Sequence, residues 1–136
     1  MEESKRWEFS KVKAGTKFSR NSVEAIHLES CPQGGDNCKT HRAVINECLK
    51  NSFDCFVNSH YEKSIDELKT AFEQTYDMEN ETCIKCAELF RLRITSSLEQ
   101  IQSELQQMTT GFFKSKRHKP SLEYATTVIN ELKGKA

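Results

Sequence analysis

Between Glu81 and Phe113 the apolar residues Ile84, Ala87, Ile94, Leu98, Ile101, Leu105, Met108 and Phe112 recur at steps of three and four, and the register breaks only at Arg91. This spacing aligns side chains along one stripe of an α-helix. No Gly or Pro occurs before Gly111, so nothing forces an earlier stop. About thirty residues at 1.5 Å each make a rod roughly 45 Å long. A rod with one apolar stripe needs partners along its length. The stretch therefore predicts an all-α fold: an antiparallel helical bundle, or helical hairpins, around one long helix at about 81–111, with an irregular N-terminal segment.

Three further helices are expected. In 41–58, Val44, Ile45, Cys48, Leu49, Phe53, Cys55, Phe56 and Val57 cover more than half of the helix circumference and predict a well-buried helix capped by Thr40. Tyr61, Ile65, Leu68, Ala71, Phe72 and Tyr76 give 60–77 one clean apolar face, with Ser59 as its cap. The polar run Asp77–Thr82 reads as a turn, with Asn80 or Thr82 capping the long helix. Leu122, Ala125, Val128, Ile129 and Leu132 mark a last helix at 121–134, opened by Ser121 after Pro120 and closed by Gly134. Residues 23–136 then form one domain.

Residues 1–22 differ in character. Lys5, Arg6, Lys11, Lys13, Lys17 and Arg20 are interspersed with Trp7, Phe9 and Phe18, which reads as a basic, partly disordered arm. Ser22–Ser30 could make two helical turns or a short strand. The breaker cluster Cys31-Pro32-Gln33-Gly34-Gly35-Asp36-Asn37 reads as an exposed loop. It lacks the Gly-Lys-Ser/Thr that a phosphate-cradling loop requires.

The chain has 136 residues, with 20 basic and 20 acidic side chains that cancel. No global field draws it to nucleic acid, which would need a local patch: the arm at 1–20 and the dense loop Lys114–Lys119. That weighs against nucleic acid as a partner. No run of eighteen apolar residues predicts a membrane span. The N-terminus lacks the apolar core of a secretory signal, which points to the cytoplasm.

Six cysteines in a reducing compartment suggest free thiols or a metal site rather than a disulfide scaffold. Cys83-Ile84-Lys85-Cys86 is the recognisable motif, a Cys-x-x-Cys at a helix start. A helix dipole there could activate a redox dithiol, but the strand that precedes such a site in thioredoxin-like folds is missing from the pattern. As half of a zinc site it needs a second pair. Cys38-Lys39-Thr40-His41 has the same spacing at another helix start, so Cys38, His41, Cys83 and Cys86 are the candidate zinc ligands, with Cys31 a further one. If Cys83 and Cys86 are helix residues only, at least one packs as a small hydrophobe. Cys38 and Cys48 are spaced as in twin Cys-x9-Cys hairpins, but the second pair is absent. In an oxidising compartment, Cys31 and Cys38 could pair across the loop.

The histidines His27, His41, His60 and His118 make no His-x3-His or Glu-x-x-His pattern, and each is expected to be exposed or capping. Glu88, Glu99 and Glu104 are expected on solvated faces. No nucleophile elbow appears. The segment His60–Ala71, with Tyr61, Ser64, Leu68 and Ala71 in place, resembles the second helix of a tetratricopeptide repeat. The helix before it departs from that pattern at Cys48, Asn51 and Cys55, and no 34-residue period restarts. The resemblance implies a helical hairpin and no family.

The expected function is a non-enzymatic helical interaction or scaffold module. It would bind a protein partner, or itself, through apolar helix faces, especially near Leu105, Met108, Phe112 and Phe113. The alternatives are a Cys/His zinc or thiol-redox protein and, third, a nucleic-acid binder.

Overall fold

In the computed structural model, residues 28, 30–34, 37–110 and 116–135 are described. Four α-helices follow one another: α1 (Lys39–Val57), α2 (Tyr61–Glu81), α3 (Ile84–Thr110) and α4 (Lys119–Lys135), with a 3-10 turn at Lys116–His118 before α4. Among the described residues there is no strand. The arm at 1–22, most of the 22–30 segment, Phe112 and Phe113, and the first residues of the basic loop lie outside the described residues.

The long helix is present, and the bundle's contacts are shared between it and α2. Helix α2 packs against α1, α3 and α4, while α3 packs against α2 and α4. The linkers between α1 and α2 and between α2 and α3 are too short for anything but antiparallel neighbours. Ile65, Leu68, Ala71, Phe72 and Met78 of α2 are fully buried, as are Ile45 and Leu49 of α1, and Ala87, Phe90, Ile94, Leu98, Ile101 and Leu105 of α3. Helix α4 adds Ala125, Val128, Ile129 and Leu132, with Leu122 partly buried against the core, along the stripe its sequence predicts.

Helix α1 is narrower on its buried side than its composition suggests. Val44 and Val57 are exposed, and Cys48 and Cys55 are half-buried. The buried stripe is Arg42, Ile45, Leu49, Ser52, Phe53 and Phe56. At its centre two small residues let α1 and α2 approach closely. The Ser64 hydroxyl donates to the Ser52 carbonyl at 2.7 Å, and the Ser52 hydroxyl reaches Ser64 Oγ and its carbonyl, each at 2.9 Å. Each buried hydroxyl thus has a partner, which removes the cost of desolvating it.

The register of α3 runs through Phe90, not through position 91. Cys86, Ala87, Phe90, Ile94, Ser97, Leu98, Ile101 and Leu105 form its buried face, and Ile84 is about half exposed. Arg91 is therefore not a break but a bridge to α2. Its Nε donates to Thr75 Oγ1 at 2.9 Å, its guanidinium pairs with Glu79, and it lies 4.4 Å from the centroid of the Tyr76 ring. Glu104 is buried rather than solvated, whereas Glu88 is exposed and the half-exposed Glu99 pairs with Lys133 at 2.6 Å.

The helix ends also depart from expectation. Ser59 caps nothing ahead of it. It adopts a left-handed conformation at φ 66 and closes α1: the Ser59 N–H donates to the Phe56 carbonyl at 3.0 Å and the His60 N–H to the Cys55 carbonyl at 2.8 Å. This is the Schellman arrangement usually given to glycine. Helix α2 continues through Asp77–Glu81 because Met78 is fully buried. Thr82 then ends α2, with both its N–H and its hydroxyl donating to the Met78 carbonyl. Helix α4 starts at Lys119, with Pro120 tolerated in its first turn. Ser121 lies inside that helix, its hydroxyl 3.4 Å from Glu62.

Two predictions follow from this geometry. A non-glycine residue in the left-handed region costs roughly 1–2 kcal/mol, so Ser59→Gly should raise unfolding free energy by about 1 kcal/mol in a urea titration. Phe90→Ala should cost about 3–5 kcal/mol, while Ile84→Ala, although on the periodic stripe of the sequence, should stay within roughly 0.5 kcal/mol.

Candidate metal centre

The α1–α2–α3 path returns the chain to the end of the bundle where it started, so the N-termini of α1 and α3 lie side by side. Four cysteines meet there. Cys38 is the N-cap residue of α1, and its carbonyl accepts the first helical bond from the Arg42 N–H at 2.8 Å. Cys83 immediately precedes α3 and Cys86 lies in its first turn, one helical step of three further on. The Cys86 N–H points at Cys83 Sγ at 3.5 Å, so that sulfur sits where a helix-capping oxygen usually does.

The fourth cysteine, Cys31, arrives from the loop. Pro32 and Gln33 occupy the corners of a turn closed by the Gly34 N–H donating to the Cys31 carbonyl at 2.9 Å. Gly34 has φ +79, a conformation that favours glycine. Upstream, both backbone groups of Leu28 bond the side-chain amide of Asn46 on α1, each at 3.1 Å, and Leu28 itself is buried. This tether holds the segment against α1 and delivers Cys31 to the cluster. The loop exposes Pro32, Gln33 and Gly34 but buries the cysteines at its two ends.

Cys31 Sγ lies 3.7 Å from Cys83 Sγ, and Cys38 Sγ lies 3.5 Å from Cys86 Sγ. All four sulfurs lie within 4.8 Å of one another. A disulfide would bring a pair to about 2.05 Å, and none of the six cysteines is in a disulfide. Four sulfurs placed about 2.3 Å from one tetrahedral ion would stand about 3.8 Å apart. The Cys31–Cys83 and Cys38–Cys86 separations are close to that edge length. Cys31, Cys38 and Cys86 are buried, and Cys83 is half-buried at the rim. The four cysteines could hold a metal ion.

Burial pushes the Cys86 thiol far above its ordinary range, with hydrogen bonds from the neighbouring cysteines adding to the effect. The Cys86 thiol therefore favours its neutral form until a positive charge enters, and a coordinated metal would supply that charge. The N-termini of α1 and α3 add partial positive charge from two directions.

Three of the four residues singled out by spacing, Cys38, Cys83 and Cys86, are brought together. His41 is not among the clustered groups. It turns to the end of α2, where its Nε2 lies 3.2 Å from Glu81 Oε1, and its Nδ1 is buried without a hydrogen-bond partner among the described residues. Cys31 takes the remaining corner. Cys48 and Cys55 stay outside the cluster on α1, their thiols pushed up by burial and by the nearby Glu67 carboxylate. Of the basic loop, His118 meets the Tyr61 ring edge-on at 5.3 Å between centroids.

Among the described residues no helix is long and apolar enough to cross a membrane. Comparison of the chain with protein-family models, with curated proteins and with solved structures gives no match in any of the three.

Proposed function

We propose that this chain is a non-catalytic helical module built around a structural zinc centre with Cys31, Cys38, Cys83 and Cys86 as ligands. The observation that carries the reading is the four-sulfur cluster, with all four within 4.8 Å. Tetrahedral all-sulfur sets select zinc or iron. Four protein ligands leave no open position for substrate or water, which is the mark of a structural rather than a catalytic site. The centre would clip the 28–38 segment to the start of α3, a job that the few apolar residues of that segment do poorly alone.

Protein binding is the role that best suits such a module. Ile84 and Leu92 are exposed on α3 at 49% and 57%. Leu92 lines an open groove together with Pro32, Gln33, Lys85, Glu88 and Leu89. One wall of that groove is the loop that the metal would hold in place.

Elemental analysis of protein purified without added metal should find one zinc per chain. In the native state at most two of six thiols should react freely, with all six reacting after chelation under denaturing conditions. No metal and six thiols reacting only after denaturation would make the cysteines core residues. Iron in place of zinc would redirect the reading to electron transfer. In a chelator competition, Cys31→Ser should weaken zinc binding by more than the roughly 10–100-fold that loss of an outer partner costs. His41→Ala should leave the affinity unchanged. Leu92→Glu should keep zinc and, if the exposed face drives self-association, abolish any concentration-dependent rise in mass seen by light scattering.

A further inference from the structure

The buried stripe of α1 opens with a residue that does not belong in an apolar core. Arg42 is only 5% exposed. Its Nε donates to Cys38 Sγ at 3.3 Å, one helical turn along α1 from that cysteine. A guanidinium cannot give up its proton and has no acceptor, so it carries its full charge into the interior.

A divalent ion held by four thiolates calls for positive charge beside its ligands. The set carries two surplus negative charges, and burying them is costly without compensation. Two helix N-termini offset part of this charge. The geometry points to Arg42 as the charge-compensating, positioning residue of the four-cysteine centre: its Nε–H hydrogen bond holds the Cys38 sulfur toward the ion and neutralises part of the thiolate charge. This inference rests on the metal-centre reading above. Arg42 touches a ligand and not the ion, which makes it the sulfur counterpart of the outer partners that orient metal-bound imidazoles and carboxylates.

The test uses the full chain, with Zn2+ for affinity and Co2+ as a spectroscopic probe. Arg42→Met keeps the aliphatic bulk and removes charge and donor. It should weaken Zn2+ about 10–100-fold in a chelator competition, with helical content at saturating metal unchanged. Loss of the donor leaves the sulfur more electron-rich, so the thiolate-to-cobalt charge-transfer band should move to lower energy. Arg42→Lys should restore most of the affinity and the band position. If Arg42→Met does not fold, Arg42→Gln retains an N–H donor without the charge, and it should bind Zn2+ more weakly than Arg42→Lys. Equal affinity and an unmoved band in the neutral variants would overturn the role of Arg42 while leaving the centre intact. Equal weakening in the Met and Lys variants, with the parent's band in both, would show a packing role and overturn it too. A parent chain that takes up neither ion would remove the centre itself and this role with it.

Discussion

Helix α2 is the return path on which the arrangement depends. Helix α1 has 19 residues and α2 has 21, about 29 and 32 Å at 1.5 Å per residue. Two antiparallel rods of matched length bring the start of α3 level with the start of α1. Had α2 ended at Asp77, the chain would have turned about 6 Å short, and Cys83 and Cys86 would not have faced Cys38. Burial of Met78 and the Arg91–Glu79 pair hold that last helical turn in place. The close seam at Ser52 and Ser64 keeps α1 and α2 near enough for the match to matter.

At the shared end the core changes character. Along the bundle the contacts are Leu, Ile, Phe and Ala, held by exclusion of water. At the end they are sulfurs, a buried arginine and two helix N-termini. Each of these costs free energy in isolation. In the proposed centre a divalent ion would let them offset one another: thiolates with the metal, surplus negative charge with Arg42 and the dipoles. The Leu28–Asn46 tether and the Gly34 turn then look less like loop decoration than like the framework that positions Cys31.

Periodicity revealed four helices because burial of one face imposes it whatever the neighbours are. It was less reliable where two residues compete for one slot. Ile84 fits the stripe of α3 by spacing, yet it lies beyond the end of α2, with little to bury against. Phe90 was hidden beside Arg91, whose charge disguised a position that is half inside. The polar run after Tyr76 looked like a turn because five polar residues surround Met78, and a single buried side chain outweighed them.

For the candidate site, the sequence by itself determined the chemistry: two cysteine-bearing helix starts and a fourth cysteine before a Pro-Gly turn. Spacing favours local pairs, which is why His41, three residues from Cys38, ranked ahead of the more distant Cys31. Only the tertiary structure brings Cys31, and not His41, into the four-sulfur cluster. His41 faces the end of α2 and meets Glu81, whereas the turn at 31–34 folds Cys31 back over the helix ends. Local sequence sets which face a residue occupies, but which faces meet depends on helix lengths and packing summed over the whole chain. The same holds for Arg42: its charge suggests solvent, and only the packed bundle places it beside a sulfur.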